Sequence, residues 1–521
     1  MCGIIAAAST RNVGKPLVQG LHKMEYRGYD SAGIALHQES SIAHLRTVGK
    51  VQLLEDKMIA EKPKSKLGIA HTRWATHGEP SEVNAHPHKS KDSVYIVHNG
   101  IIENYVELRE SLANDGYEFT SQTDSELIAH MLNYFISQDN SMIEAMYLAK
   151  EKLDGAYAIA AIDLNNNSNL VVARNKSPLL LGLGTDEMFA ASDPLAIAQL
   201  TNDFIFLEDG DVATISAEEY KIYDASKSEV SRDVTHIDIS SQATSKGDFR
   251  HYMEKEIHEQ PDAISHTLSA MRSESGTITA GLDEGQLAAI QHIVILAAGT
   301  SFYAGQIGRY WIEQIAGIPV SVEVASEYRY RSPVTASYTT ALLISQSGES
   351  LDTMKAMEFA RDAGLTTMGV VNVPDSTIAR EADIILPTRA GPEIGVASTK
   401  AFTTQLVSLF ILTITLAKNK KIITRKLEKK YLKDLRGLVG GIQTALNLEP
   451  QIKQWAKHFS NKDNALFLGR GIHYPIALEG SLKLKEISYI HAEAYPAGEL
   501  KHGPLALVDK NMPVVVIAPN D

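Results

Sequence analysis

Short apolar segments separated by turn residues fill the first half of the chain, and many of their residues are β-branched or small. Segments of about four to eight such residues are typical of strands. The predicted strands are Cys2–Ala8, Ser31–Leu36, Lys66–Ala70, Ser93–Val97, Ala156–Asp163, Asn169–Ala173, Leu179–Leu183 and Val212–Ile215. Helical periodicity separates some of them, at Glu103–Asn114, Ser125–Tyr134 and Ser141–Lys152. This pattern predicts an α+β domain in which antiparallel pairing is favoured.

The second half has a different rhythm, in which an apolar strand is followed by a Gly/Ser turn and a helix. The segments that carry it are HIVILAAGTS, PVSVEVASE, TALLISQSGES, TTMGVVNVP and DIILPT. A second cycle begins at NALFLGRG, includes a helix around Ile476–Ile490 and reaches PVVVIAP before Asp521. The pattern predicts two doubly wound parallel α/β domains. The second is expected to be truncated, with an unpaired sheet edge and uncovered apolar surface.

Residues 216–247 are rich in Ser, Asp and Lys and show little periodicity, which is typical of a domain edge and a linker. We therefore predict a first domain over residues 2–240. Residues 241–289 are predicted to form a linker and a leading helix, with helical pattern at His251–Thr267. The two α/β domains are then expected at 290–450 and 451–521.

Composition narrows the class of protein. The chain has 521 residues, 44% of them apolar and 22% charged, which predicts a folded multidomain protein. A net charge of −13 argues against a nucleic-acid partner or an anionic membrane, because no basic surplus is left to neutralise phosphates. The N-terminus lacks the features of a signal peptide, and the longest apolar run, Leu406–Ala417, is too short to span a bilayer. We expect a cytoplasmic protein.

The chain has one cysteine, Cys2, which excludes an intramolecular disulfide and a cysteine-based zinc site. It follows Met1 and precedes Gly3, so removal of the initiator would leave a cysteine whose own α-amine can act as a base. An α-amine with a pKa of ~8 and a thiol with a pKa of ~8.5 are well matched for proton exchange. The alternative is an ordinary residue near a chain terminus.

Polar residues and turn residues are concentrated between His71 and His88, unlike in a packed strand. The spacing of His86 and His88 also suggests a metal site, but no acidic or cysteine partner recurs at ligand spacing, so we predict polar structural histidines and no metal. Asn99–Gly100 can supply two oxyanion donors, or simply form a strand-end turn. Asp124 precedes a helix, where its simplest function is an N-cap.

The motifs MCGI, YRGYDSAG, HTRWATHG, HNGIIEN and TDSE, in this order, resemble the N-terminal-nucleophile glutaminase domain of class II amidotransferases. The resemblance implies an αββα sandwich that binds L-glutamine. It implies that Cys2 attacks the carboxamide and that Asn99 and Gly100 form the oxyanion hole. The implied glutamine-binding residues are Arg73 for the α-carboxylate, Asp124 for the α-amine, and Trp74, Thr76 and His77 lining the pocket, with Trp74 also a gate.

In the second half, the segments 297–301 and 345–350 each lie between a strand and a helix, where hydroxyls, backbone N–H groups and the helix dipole favour a phosphate. Gly/Ser turns also occur there without any ligand. Lys483 and Glu486 are three residues apart and share a helix face, and His502 lies in a Gly/Pro-flanked loop. These residues suit ketose–aldose isomerisation, although a surface ion pair is the better explanation of the spacing of Lys483 and Glu486 taken alone.

These segments resemble the sugar isomerase (SIS) fold, and the whole chain resembles the glutamine–fructose-6-phosphate aminotransferase family. The resemblance implies conversion of fructose 6-phosphate and glutamine to glucosamine 6-phosphate and glutamate, with no cofactor or metal, by a homodimer joined through the SIS domains. Glu486 would move the C1/C2 proton beside Lys483, and His502, from the other subunit, would assist ring opening. The implied sugar-phosphate-binding residues are Ser301, Ser345, Gln346, Ser347, Ser350, Val396 and Ser398.

This chain departs from the family in two places. Residue 350 is Ser where the family often has Thr, which keeps the hydroxyl. The family's C-terminal tail, with a lysine that bonds the open-chain sugar, has no counterpart, so we expect a fragment. Three alternatives remain: a glutaminase joined to a phosphoribosyltransferase, an isomerase or deglycase of aminosugar phosphates, and a non-catalytic phosphosugar sensor.

Overall fold

The computed structural model describes residues 2–25, 28–74, 78–237, 246–273 and 277–519. The chain divides into two compact units, Met1–Ser245 and Lys246–Asp521. The strands of the first unit are β1 (Gly3–Ser9), β2 (Ser31–His37), β3 (Ile42–Val48), β4 (Leu67–Arg73), β5 (His88–Ser90), β6 (Val94–Ile102), β7 (Gly155–Asp163), β8 (Asn166–Asn175), β9 (Leu180–Leu183), β10 (Glu187–Ala191), β11 (Asp203–Phe206), β12 (Val212–Ile215), β13 (Tyr220–Tyr223), β14 (Glu229–Val230) and β15 (Val234–His236). Its helices are α1 (Gly14–Met24), α2 (Val51–Glu61), α3 (Tyr105–Asn114), α4 (Glu126–Ile136) and α5 (Met142–Lys150).

Two antiparallel sheets stack face to face in the first unit. One has the order β15-β11-β9-β10-β1-β4-β2-β3 and the other β14-β13-β12-β8-β7-β6-β5. Alternation along β1 explains the layering: Ile4 lies in the core between the sheets, whereas Ile5 packs on the side of α1. On the second sheet, Val97 faces the same central core and Ile96 faces α4 and α5. The predicted αββα sandwich with antiparallel pairing is confirmed.

The second unit begins with helices and then alternates strands and helices. Its strands are β16 (His292–Ala297), β17 (Val320–Val324), β18 (Thr339–Ser345), β19 (Thr366–Val371), β20 (Ile384–Pro387), β21 (Asn464–Gly469), β22 (His491–Pro496) and β23 (Val514–Val516). Its helices are α6 (Tyr252–His258), α7 (Gln260–Ala270), α8 (Glu284–Ala289), α9 (Gly299–Trp311), α10 (Ala325–Tyr328), α11 (Leu351–Asp362), α12 (Thr377–Glu381), α13 (Lys400–Asn419), α14 (Arg425–Leu446), α15 (Glu449–Ala456) and α16 (His473–Ser488).

The larger sheet of this unit is parallel, in the order β17-β16-β18-β19-β20. Ile295 of β16 packs in a core on the side of α9 and α13, and Leu296 packs on the opposite side with α11. The order reverses between β16 and β18, so the turns that follow these strands flank a topological switch point. A smaller parallel sheet, β22-β21-β23, packs against α16. The predicted doubly wound α/β architecture is confirmed.

Two local predictions are wrong. The helix predicted over His251–Thr267 is divided into α6 and α7. Pro261 cannot donate to the carbonyl of Ile257, which instead accepts a hydrogen bond of 2.9 Å from the side chain of Gln260. The segment 216–247, predicted as irregular, contains β13, β14 and β15. Their alternation is weak because these short strands lie at or next to the sheet edges and only one of their residues, Ile222, is buried.

Helix α13 extends beyond the apolar run noted in the sequence. Its 20 residues are sufficient in length and composition to cross a membrane, but 78% of its most apolar window is buried inside the second unit. Leu409 and Leu412 contribute to the core on the side of α9. The burial of α13 is that of a core helix.

Candidate functional site

Cys2 immediately precedes β1, and its thiol lies against the end of β4. The backbone N–H of Trp74 donates a hydrogen bond of 3.3 Å to Cys2 Sγ. Burial raises the pKa of the Cys2 thiol, and the Trp74 backbone contact opposes that rise only in part. A thiol in this environment needs a base before it can act as a nucleophile.

Asn99 and Gly100 lie inside β6, so they do not form the strand-end turn that was one interpretation of the sequence. Asn99 Nδ2 donates a hydrogen bond of 3.0 Å to the carbonyl of Cys2, although 97 residues separate the two. Gly100 has a φ of +132°. A Cβ at this position would lie 1.9 Å from the carbonyl oxygen of Ala156 on β7, so only glycine fits. The structure thus brings the side chain of one predicted donor, Asn99, to the backbone of Cys2, with Gly100 next to it on β6.

A buried cation and a buried anion flank this region. Arg73 ends β4, and its guanidinium donates to the carbonyl of Gly78 at 3.2 Å. Asp124 is not the N-cap that the sequence suggested, because Ser125 occupies that position of α4. The Asp124 carboxylate instead accepts a hydrogen bond of 2.9 Å from the N–H of Ile102 on β6. Its charge partly offsets the lowering of the Arg73 pKa by burial, so the two groups interact electrostatically.

The remaining predicted pocket residues are only partly described. Trp74 is 38% exposed and packs edge to face on Tyr29, with ring centroids 5.4 Å apart. Thr76 and His77 lie outside the described residues. The exposed ring of Trp74 can contact a ligand, and its backbone already contacts the thiol.

A row of buried histidines, which the sequence analysis identified only in part, begins at His71 beside Asn99. The rings of His71 and His86 are 4.1 Å apart and those of His86 and His88 are 4.5 Å apart. Burial lowers the pKa of each, that of His71 to about 3. No cluster suited to a metal ion occurs among the residues that the structure describes. His71 was missed as a site residue, although it shares a face of β4 with Arg73.

In the second unit, the predicted phosphate-binding residues cluster at the carboxyl ends of β16 and β18. Ser345 ends β18, and its hydroxyl accepts a hydrogen bond of 3.0 Å from the N–H of Gly348. The side chain of Gln405 donates to Ser301 Oγ at 3.0 Å, in the first turn of α9. Gln346, Ser347 and Ser350 complete the turn before α11, with Ser350 at the N-cap position. Both helix N-termini therefore meet at the topological switch point.

The segment that carries Val396 and Ser398 is held by two buried glutamates. Glu256 accepts hydrogen bonds from the N–H groups of Ile394 and Gly395, at 2.5 and 2.9 Å. Glu393 accepts one from the hydroxyl of Ser398 at 2.8 Å. Val396 remains exposed. Sequence reasoning missed both glutamates, because most of their partners are backbone N–H groups that are distant in sequence or lie in a loop.

Lys483 lies in a cluster of polar groups on α16. Its ammonium is 2.7 Å from Glu486 Oε2 and 3.4 Å from Glu479 Oε1. It also donates to the hydroxyl of Thr300 at 3.0 Å. Burial raises the pKa of Glu479, and the Lys483 ammonium opposes that rise. Lys483 and Glu486 do form the ion pair that their spacing suggested, but the Lys483 side chain is only 18% exposed and also contacts Thr300 and Glu479, so the pair is part of a larger, partly buried cluster. Glu479, one helical turn earlier, was detectable by the same spacing argument.

His502 is exposed at the end of a 3₁₀ turn, Ala497–His502. Among the described residues, no hydrogen bond or ion pair joins it to Lys483 or Glu486.

Comparison with known proteins identifies both halves of the chain. Residues 71–199 match the glutamine amidotransferase domain, and residues 286–415 and 458–521 match the SIS domain. A protein of Xanthomonas campestris pv. campestris, named glutamine–fructose-6-phosphate aminotransferase [isomerizing], is 52% identical over all of this chain and 86% of its own length. The protein of the same name from Vibrio cholerae serotype O1 is 49% identical over the same shares. The C-terminal domain of glucosamine-fructose-6-phosphate aminotransferase from Francisella tularensis superimposes with a TM-score of 0.52 and 50% identity, over 53% of this chain and 78% of that domain's chain.

Proposed function

Because this chain belongs to the glutamine–fructose-6-phosphate aminotransferase family, we propose that it transfers the amide nitrogen of L-glutamine to D-fructose 6-phosphate, forming D-glucosamine 6-phosphate and L-glutamate. The observation that carries the proposal is the contact between Asn99 Nδ2 and the backbone of Cys2, at 3.0 Å. This contact supports Asn99 as an oxyanion donor close to Cys2, the chain's only cysteine.

The first unit is proposed to hydrolyse glutamine. With Met1 removed, the α-amine of Cys2 takes the thiol proton, and Sγ attacks the carboxamide carbon. Asn99 Nδ2 and Gly100 N–H stabilise the oxyanion that forms. Collapse of this intermediate breaks the C–N bond, releases ammonia and leaves a thioester, which water hydrolyses to glutamate.

Arg73 and Asp124 are the proposed partners of the substrate's α-carboxylate and α-ammonium. Both side chains are buried, which strengthens charge pairing with a bound amino acid. Trp74, Thr76 and His77 are proposed to line the same pocket. A zwitterion held at both ends presents its carboxamide to Cys2 in one orientation.

The second unit is proposed to bind the sugar phosphate and isomerise it. The phosphate is assigned to the junctions between β16 and α9 and between β18 and α11, which carry the following side chains: Ser301, Ser345, Gln346, Ser347 and Ser350. Val396 and Ser398 are assigned to the sugar. Glu486 is the proposed base that moves the proton between C1 and C2, and Lys483 is assigned to neutralise charge that develops on the neighbouring oxygens.

We further propose a cytoplasmic homodimer that forms through the SIS domains. The support for a dimer is that His502 is exposed and, among the described residues, makes no hydrogen bond or ion pair with Lys483 or Glu486, which leaves it accessible to a second copy of the chain. The support for the location is the single cysteine, which fits a reducing compartment.

The test is to incubate the chain with glutamine and fructose 6-phosphate and to measure glutamate and glucosamine 6-phosphate. Both products should form in equal amounts, and Cys2→Ala should abolish both while binding of fructose 6-phosphate persists. Binding without turnover would indicate a phosphosugar sensor. Glutamine hydrolysis that survives in Cys2→Ala would refute the proposed nucleophile.

A further inference from the structure

A chain of hydrogen bonds leads from a buried histidine to the nucleophile. His71 Nε2 lies 3.0 Å from Asn99 Oδ1 and 3.1 Å from the carbonyl oxygen of His98. Asn99 Nδ2 in turn donates to the carbonyl of Cys2 at 3.0 Å. His71 therefore contacts the side chain that is proposed to bind the oxyanion, without facing the thiol itself.

The position of His71 follows from alternation along two strands. Leu67 and Ile69 precede it on the same face of β4 and belong to the core between the sheets. Val97 belongs to that core and lies on the face of β6 that carries Asn99. The contact between His71 and Asn99 thus joins the two sheets in a region from which water is excluded.

The surroundings of His71 determine which ring nitrogen carries the proton. Burial lowers its pKa to about 3, so the ring is neutral at physiological pH and has one N–H group. Nε2 faces two oxygens that can only accept, Asn99 Oδ1 and the carbonyl oxygen of His98. Among the described residues, Nδ1 has no hydrogen-bond partner. Only the tautomer protonated at Nε2 can donate a hydrogen bond to these oxygens, because the other tautomer would place a lone pair against them.

This tautomer also determines the orientation of the Asn99 amide. With Oδ1 accepting from His71 Nε2–H, the NH₂ group is directed toward Cys2. The flipped amide would place its NH₂ against the Nε2–H group and its oxygen against the Cys2 carbonyl. During catalysis the flipped oxygen would also face the oxyanion, where it repels charge instead of stabilising it.

We propose that His71 is a positioning residue for glutamine hydrolysis, which holds the Asn99 amide with its NH₂ group toward the oxyanion. This inference rests on the proposed glutaminase function and assigns to it a residue that does not contact substrate. Its effect is exerted in the transition state, when the oxyanion forms. Binding of glutamine through Arg73 and Asp124 does not depend on it.

The experiment compares His71→Met, which removes the donor at similar volume, with His71→Gln, whose amide can restore a donor. Loss of one oxyanion donor lowers kcat by about 10²–10³-fold, so a donor that is present but misoriented part of the time should lower kcat by about 10–100-fold in His71→Met. KM for glutamine should change little. His71→Gln should recover most of kcat.

The rate at which iodoacetamide alkylates Cys2 distinguishes a positioning role from a general structural role. General damage to the pocket would change this rate, whereas a misoriented Asn99 amide would not. In this reaction the thiolate forms an S–C bond as iodide departs, and no oxyanion develops. Cys2 is the only cysteine, so incorporation of the reagent reports its reactivity directly. The alkylation rate should be the same in wild type, His71→Met and His71→Gln. In an Asn99→Ala background, His71→Met should lower kcat no further.

The outcomes separate this inference from the proposed function. A wild-type chain that does not release glutamate overturns both. An active wild type with an equally active His71→Met overturns only the positioning role. So does a variant whose alkylation rate falls as much as its kcat, because that result shows general damage to the pocket. If His71→Met does not fold, His71→Phe, which keeps an aromatic ring beside His86, takes its place under the same criteria.

Discussion

The ammonium of Lys483 lies 3.0 Å from the hydroxyl oxygen of Thr300, 183 residues earlier in the chain. Thr300 lies in the first turn of α9, and its hydroxyl donates to Glu479 on α16 at 3.1 Å. The helix that follows β21 is thereby tied to the turn that follows β16. The candidate sugar site is therefore built jointly by the two α/β parts of the second unit.

Replacing Lys483 with Met should abolish isomerisation. It would leave the carboxylates of Glu479 and Glu486 close together with no cation between them, and Glu479, which is buried, would lose its ion-pair partner. We expect at least about a 100-fold loss in the exchange of the C1 hydrogen of fructose 6-phosphate with D₂O, measured by NMR. Glutamine hydrolysis should be unchanged.

Lys485→Met is the matched control, because Lys485 is exposed on the same helix. It should leave hydrogen exchange within about twofold, as expected of a surface substitution. Equal losses in the two variants would show that α16 tolerates no apolar replacement, and would remove the support for a specific role of Lys483.

Gly100→Ala should disrupt the first unit. The new Cβ would lie 1.9 Å from the Ala156 carbonyl oxygen, which belongs to the backbone of β7 and cannot move away without breaking the sheet. We expect destabilisation on the order of 4 kcal/mol or more, together with loss of glutamate release. Thermal unfolding of the purified chain measures the first effect.

Gly116→Ala supplies the comparison. Gly116 also has a positive φ, of +86°, but no atom of the described residues lies within 4 Å of the position that a Cβ would occupy, so only the conformational cost of about 1–2 kcal/mol remains. Comparable destabilisation by the two substitutions would mean that the close approach of β6 and β7 does not explain the requirement for glycine.

Glu256→Gln should make stability less dependent on pH. Burial raises the pKa of Glu256 to about 7, with Glu393 adding to the rise and Lys400 and two backbone N–H groups opposing it. A carboxyl whose pKa is raised in the folded state favours folding fully below its unfolded pKa of ~4.3, and this contribution is lost as pH rises through 7. Wild type should therefore lose up to about 3 kcal/mol between these pH values.

Thermal unfolding of wild type and Glu256→Gln between pH 5 and pH 8 measures this difference. The variant should gain stability relative to wild type as pH rises. Glu284→Gln changes an exposed carboxyl in the same unit and should follow the wild-type profile. Parallel profiles of wild type and Glu256→Gln would show that Glu256 does not titrate in this range.

His86→Phe should reduce the sensitivity of the first unit to acid. Burial lowers the pKa of His86 well below its usual range, and neither ring nitrogen has a partner among the described residues. A histidine whose pKa is depressed in the folded state stabilises it fully above ~6.5, and that stability is lost as pH falls toward the folded-state pKa. For one such ring, the free energy of unfolding falls by about 1.4 kcal/mol for each pH unit of acidification in that range.

We expect His86→Phe to be at least as stable as wild type at pH 7 and to lose stability less steeply between pH 6 and pH 4. Urea unfolding at each pH measures both. His236→Gln, at an exposed position of the same unit, should not change the slope. A steeper acid loss in His86→Phe than in wild type would contradict the assignment of a neutral ring.

Much of the fold could be predicted from local pattern. The residues of strand β1 form an unbroken apolar segment because both faces of the strand are buried. The strand–turn–helix order after residue 290 predicts a parallel sheet with helices on both sides. The short strands β13 to β15, at or next to the sheet edges, could not be predicted, since strands with little buried surface show no apolar alternation. The break before α7 depends on a single proline and a side-chain hydrogen bond, which periodicity does not reveal.

The sequence by itself determined which residue types are available, and motif order placed Cys2, Asn99, Lys483 and Glu486 among the candidates. It could do so because periodicity and turn chemistry are properties of neighbouring residues. Only the tertiary structure decided that Asn99 meets Cys2, that Asp124 binds the backbone of β6 and that Lys483 reaches Thr300. These contacts join residues far apart in the chain, and the burial that neutralises His71 comes from both sheets at once, so no local pattern encodes them.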